Sequence, residues 1–119
     1  MTDTAITNEI RDFLQSGKRN CWIESGDLSV FVRRGFHLID HEIKNCFDIA
    51  NINVDAEKRG QGIFTKWLSI AEAEAAQSGL AIIYIENLLN ERLQHSLCGL
   101  GYLEVTKTFP VIMYKKLRF

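Results

Sequence analysis

The stretch that decides the fold is Val54-Asp55-Ala56-Glu57-Lys58-Arg59-Gly60-Gln61-Gly62-Ile63-Phe64-Thr65. Before it, Asn45 to Val54 reads as a strand. Strict alternation puts Phe47, Ile49, Asn51 and Asn53 on one face, and Asp48, Ala50, Ile52 and Val54 on the other. After it, Gly62 to Ser78 carries the strongest helical pattern of the chain. Phe64, Leu68, Ala71 and Ala75 form an apolar stripe, widened by Ile63, Trp67 and Ile70, and Gly79 suits a left-handed stop. Ala81 to Ile85 follows as an almost unbroken apolar run, the pattern of a strand buried on both faces. Strand, helix and strand in this order predict a parallel pair joined by a right-handed crossover.

The loop inside that unit holds the chemistry. Glycines let the backbone turn sharply and approach a ligand. The first amides of the following helix have no intrahelical partner and lie at the positive end of its dipole. Together they predict an anion site at the helix start, of a kind suited to a pyrophosphate. Two familiar phosphate loops do not fit. The Walker pattern needs Gly-Lys-Ser/Thr where this chain has Gly62-Ile63-Phe64, and the dinucleotide fingerprint needs a third glycine that does not come before Gly79.

Working outward, Thr7 to Gln15 reads as a short helix stopped by Gly17. Cys21 to Glu24 and Leu28 to Arg33 read as a hairpin around Ser25-Gly26-Asp27, with Gly35 as a bulge or break and His37 to Ile39 as an extension. On the C-terminal side, Asn90 caps a helix carrying Leu93, Leu97 and Leu100, and Gly101 ends it. Tyr102 to Thr106 and Phe109 to Lys115 close the chain as a second hairpin.

A chain of 119 residues supports one domain, 1–119, with a short N-terminal part, 1–44. The net charge of −1 gives no footprint for nucleic acid or a membrane surface. No apolar run spans a bilayer, and Met1 to Ile6 does not start a signal peptide. Cys21, Cys46 and Cys98 are widely spaced and odd in number, which suits reduced thiols in a cytoplasmic protein and no metal site. His37, Asp40, His41 and Glu42 read as a loop on the acceptor side or a solvated turn, because three consecutive residues cannot converge on one zinc ion. Trp22, Phe31 and Phe36 read as core, with an acceptor pocket as the alternative.

The loop and its surroundings resemble the GNAT superfamily of acyl-CoA-dependent N-acyltransferases, whose phosphate loop runs Arg/Gln-x-x-Gly-x-Gly/Ala. Arg59 and Gly62 fill the first positions, and Phe64 stands where glycine or alanine is usual. Ile52-Asn53-Val54-Asp55-Ala56-Glu57 is similar to the family's approach to the loop, with Ala56 for proline, and Asn90 to Tyr102 is similar to its Asn-led helix. The resemblance covers roughly residues 45–116. It implies an α/β fold with a mixed, mostly antiparallel sheet, one central parallel pair, and helices on both faces. It implies acetyl-CoA as donor and a small-molecule or peptide amine as acceptor. Backbone groups of Ile52, Asn53 and Val54 would hold the pantetheine arm. Amides of Arg59, Gly60, Gln61, Gly62, Ile63 and Phe64, with the Thr65 hydroxyl, would hold the pyrophosphate, and Asn90 would contact the arm. A splay between the strands ending at Val54 and Ile85 would admit the thioester.

Acyl transfer to an amine needs a base for the nucleophile and a proton for the departing thiolate. Asp48 matches the family's catalytic glutamate when counted back from Ile52, and Glu86, at the end of the next strand, is the second candidate. The family's tyrosine acid falls at Leu97, which fits the apolar stripe instead. That departure, with Phe64, keeps open a catalytically silent acyl-CoA-binding module. The short N-terminal part keeps open a homodimer that covers a sheet edge.

Overall fold

The computed structural model describes residues 2–105 and 109–118. The order is α1 (Asp3–Gln15), β1 (Asn20–Ser25), β2 (Leu28–Ile39), β3 (Glu42–Val54), α2 (Ile63–Gln77), β4 (Ile82–Leu88), α3 (Glu91–Gly99), β5 (Leu103–Glu104) and β6 (Val111–Lys116), with a 3-10 turn at Ala56–Lys58. The strands form one sheet in the order β1-β2-β3-β4-β6-β5. Only β3 and β4 are parallel among the described pairs. The expected mixed sheet with a central parallel pair is therefore present. The expected Tyr102–Thr106 strand is observed as Leu103–Glu104, and Thr106 lies outside the described residues.

Each helix is placed by the side chains it buries. The Thr2 hydroxyl accepts from the Ala5 amide and starts α1 four residues before the sequence pattern suggests. Ile6, Ile10, Phe13 and Leu14 of α1, Phe64, Trp67, Leu68, Ala71 and Ala75 of α2, and Leu97 of α3 join one core cluster with Phe47, Ile49, Ile83 and Ile85 of the central strands. The expectation of helices on both faces is thus corrected. The opposite face carries a smaller cluster of Ile39, Cys46, Ile82 and Tyr84, drawn from strands alone among the described residues. Trp22 and Phe31 sit on that face and touch each other, with ring centroids 5.3 Å apart. Neither Trp22 nor Phe36 is core, at 49% and 74% exposed.

Two features of β2 and β3 depart from simple alternation. Gly35 does not break β2, which runs on to Ile39 and pairs with a β3 that begins at Glu42 rather than Asn45. Asp40 and His41 make the connecting turn with positive φ. Further along, Phe31 faces Asn51 while Val32 faces Ile49, so Ala50 is an extra residue, a β-bulge. One extra residue reverses the alternation beyond it. Ile52 and Val54 consequently pack on the same core as Phe47 and Ile49, and Asn51 and Asn53 turn to solvent. That corrects the face assignment made by strict alternation.

Candidate active site

Parallel pairing between β3 and β4 runs from Cys46–Ile82 to Ile49–Ile85 and stops there. Beyond that point the strands splay. Asn87, at φ 58°, bridges them once by donating from Nδ2 to the Ala50 carbonyl at 3.3 Å. From Asn51 onward, the edge of β3 facing away from β2 has no strand partner among the described residues. Its backbone groups are open to an extended ligand, the geometry of strand addition.

The splay opens into a cleft of about 820 Å³, within the ordinary range for small-molecule sites. Ile52, Asn53 and Val54 line one wall, and Arg59, Gly60, Gly62, Ile63, Phe64 and Thr65 line the end formed by the start of α2. Asn90 and Glu86 line the wall opposite. Every expected cofactor-binding residue except Gln61 lines this cleft. Gln61 points back instead, donating from Nε2 to the Glu57 carbonyl at 3.4 Å.

Gly60 and Gly62 have φ of +77° and +75°, values that favour glycine, and Gly62 is the N-cap of α2. The Lys66 amide closes the first turn on the Gly62 carbonyl, which leaves the Ile63 to Thr65 amides without helical acceptors. The Thr65 hydroxyl donates to the same carbonyl at 3.0 Å, so it faces a ligand with lone pairs rather than with its proton. Arg59 donates from Nε to the Val54 carbonyl at 3.1 Å and braces the loop against β3. Asn90 accepts from the Leu93 amide at 3.1 Å and caps α3, leaving its amide nitrogen for a ligand.

Three cations stand at the loop end: Lys58, Arg59 and Arg92. Arg92 escaped the sequence reading. Its guanidinium lies against Gly60, where a Cβ would meet Nη1 at 3.7 Å. The contact joins the first turn of α3 to a loop far from it in sequence, and only the topology brings them together.

The other end of the cleft is acidic and paired. Glu86 makes an ion pair with Arg33 of β2. Behind it Asp48 is buried, with Oδ2 2.8 Å from His37 Nε2 and 3.6 Å from Arg33 Nε, while Oδ1 has no partner among the described residues. Burial raises the Asp48 carboxyl above its ordinary value, and His37 and Arg33 pull it back towards the charged form. His37 stacks flat on Tyr84, with ring centroids 3.7 Å apart. His37 is therefore a strand residue paired with Asp48, not part of a loop or a solvated turn. Chelating atoms of His37, Asp48 and Glu86 lie within 4.8 Å of one another, with the Arg33 guanidinium already among the carboxylates.

Gly35 makes this pairing sterically feasible. A Cβ there would sit 2.4 Å from Asp48 Oδ2, the oxygen that meets His37. Gly35→Ala is expected to force Asp48 off the imidazole and to destabilise the fold by roughly 1–3 kcal/mol, the usual cost of overpacking. Thermal denaturation checks it; a Tm within about 1 °C of the parent would show that the carboxylate swings aside freely.

Leu97, at the family's tyrosine position, is fully buried in the main core. No helix among the described residues is long and apolar enough to cross a membrane.

No protein-family model matches the chain, and no curated protein matches it in sequence. Solved structures match its shape. One is an Escherichia coli ribosomal-protein alanine N-acetyltransferase, at 18% identity and TM-score 0.61 over 87% of this chain and 72% of that one. A second is the NatC complex bound to Gag peptide and CoA, at 16% identity and TM-score 0.63 over 80% and 67%. A third is the AtaT toxin bound to acetyl-CoA and the C-terminus of its antitoxin AtaR, at 12% identity and TM-score 0.58 over 75% and 57%. The chain thus spans between about half and three quarters of the length of these structures. The likeness is one of overall shape, and with the mixed six-stranded sheet and its parallel β3–β4 pair it shows that this chain has the fold of the GNAT acetyltransferases.

Proposed function

We propose that the chain binds acetyl-CoA in the cleft and transfers its acetyl group to a primary amine of a small molecule or peptide. The observation that carries this reading is the continuity of one cleft. It runs from the free amides at the start of α2, along the unpaired edge of β3, to the Glu86 end of the splay. A pyrophosphate suits the amides and the cations Lys58 and Arg92. A pantetheine arm carries amides that suit the backbone of Ile52 to Val54. The thioester then lies in the splay, with Glu86 and Asp48 on the acceptor side.

Calorimetric titration with acetyl-CoA tests the binding half. Binding below about 1 mM, the upper end of ordinary KM values, is the expected result, and none at that concentration sinks the reading. Release of free thiol on adding amines tests the transfer half. A second reading, a module that binds acyl-CoA without turnover, is favoured by the burial of Leu97 where the family keeps an acid. It predicts the calorimetric signal with no thiol release.

A further inference from the structure

We propose that β1 is a self-docking edge: two copies of this chain pair antiparallel through it, with Trp22 on the two-fold axis, and the sheet continues across the dimer. The pairing is independent of what the cleft binds. The sheet order leaves two edges, β1 and β5. β5 is two residues long, and shortness is a common way of blunting an edge. β1 runs for six residues without such protection. Its register with β2 is unbroken, it contains neither lysine nor proline, and its only charge is Glu24. α1 packs on one face of it, where Ile23 and Ser25 are buried and the Ser25 hydroxyl donates to Glu9 at 2.8 Å. Asn20, Trp22 and Glu24 stay exposed. The Arg34 amide donates to the Arg19 carbonyl at 2.8 Å, which sets the phase of the ladder. Arg19, Cys21, Ile23 and Ser25 therefore address β2, and the backbone N–H and C=O of Asn20, Trp22 and Glu24 point outward.

Charge, aromatic contact and register select a second copy as the occupant. Lys18 and Arg19 stand just before the strand, and Glu24 and Asp27 stand at its far end. None of the four has an ion-pair partner among the described residues. Antiparallel self-pairing lays the basic end of one strand along the acidic end of the other, twice by symmetry, whereas a parallel arrangement would set like charges side by side. Trp22 is 49% exposed and sits directly across from Phe31 on the helix-free face. With Trp22 of each copy opposed, that aromatic pair becomes a row shared by both sheets, and the indoles gain the cover they lack. In the same register Asn20 of each copy faces Glu24 of the other, so all the outward residues of β1 find partners. A shift by two residues carries one of them past the end of the opposing strand. The two-fold arrangement closes on itself, and the short β5 offers no second edge for a fibre to grow from.

The test is sedimentation velocity of the full chain without added ligand, from about 5 to 500 µM, the regime of a small interface. A monomer–dimer equilibrium is the expected result, and a monomer throughout that range overturns the proposal. Trp22→Lys should weaken association roughly a hundredfold, since it removes the central anchor and sets like charges on the axis. Glu24→Pro deletes one outward N–H and no bond to β2, so it should weaken association roughly tenfold while circular dichroism stays that of the parent. Glu24→Lys and Lys18→Glu should each weaken it, and the double variant should recover most of the loss. That exchange of charge keeps the proposal testable if either other variant fails to fold. A dimer that persists in Trp22→Lys and Glu24→Pro lies on another surface and overturns the assignment. A double charge variant no better than the single ones overturns the antiparallel register.

Discussion

On the proposed acetyl-CoA reading, Gly62→Glu is expected to weaken binding by at least several hundredfold while the protein stays folded. Three effects meet at this position. The residue has φ +75°, so any L side chain there costs about 1–2 kcal/mol of backbone strain. A carboxylate at the N-cap recovers about 0.3–1 kcal/mol from the helix dipole. The net loss of stability is therefore small against the roughly 5–15 kcal/mol of an ordinary domain. Binding responds differently, because the new carboxylate takes the Ile63 to Thr65 amides for itself and faces the pyrophosphate. Two unit charges about 4 Å apart near a protein surface repel by about 4 kcal/mol, several hundredfold in affinity. Gly62→Ala is the control: it carries the strain without the charge, and its Cβ meets only the Thr65 hydroxyl at 3.4 Å. Calorimetry on both variants checks the difference. Equal losses would locate the effect in the shape of the loop rather than in its anion site.

Trp67→Ala has the largest expected effect on stability. The indole is fully buried between Phe47, at 6.3 Å, and Phe64, at 6.0 Å between ring centroids. Truncating such a side chain ordinarily costs about 3–5 kcal/mol, from lost burial and the cavity left behind. One term opposes this. Trp67 Nε1 is buried with no hydrogen-bond partner among the described residues, and an orphaned donor costs about 1–3 kcal/mol. The cavity wins, because only one atom of the ring is orphaned while the rest is packed. A loss of roughly 3 kcal/mol, and a fall in Tm of about 10 °C or more, is the outcome expected from thermal denaturation. Trp67→Phe separates the two terms. It removes the orphan, keeps most of the volume, and should cost less than about 1.5 kcal/mol. A phenylalanine variant as unstable as the alanine one would mean that the indole nitrogen has a partner after all.

Much of the architecture was legible in the sequence, since it depends on local pattern. The stripe on α2, the glycines on either side of it and the Asn90 cap each act within a few residues. They place the loop between a strand and a helix before any tertiary contact is known. The acidic end of the cleft was legible only in part. Asp48 and Glu86 stand out as carboxylates in apolar strands, but their partners come from elsewhere. Arg33 is 53 residues from Glu86, and His37 reaches Asp48 only because β2 runs straight through Gly35. A glycine in a strand usually signals a bulge or break. Here its missing side chain is room for a carboxylate, and only the register of the neighbouring strand shows that. The one-sided placement of the helices was equally hidden, because an apolar stripe states that a helix is buried and not on which face of a sheet.

The extra residue at Ala50 acts as a phase slip. On either side of it β3 obeys the same period of two, half a period out of step. A length change between Glu42 and Ala50 would rotate the buried carboxylate and its neighbours while leaving the loop in place. A change between Ala50 and Val54 would do the reverse, turning Asn51 and Asn53 inward and closing the cleft edge with side chains. The slip therefore divides one strand into two separately indexed halves. One is keyed to the buried Asp48 carboxylate and the other to the open edge of the cleft, and an insertion in either half can be undone only by a deletion in that same half.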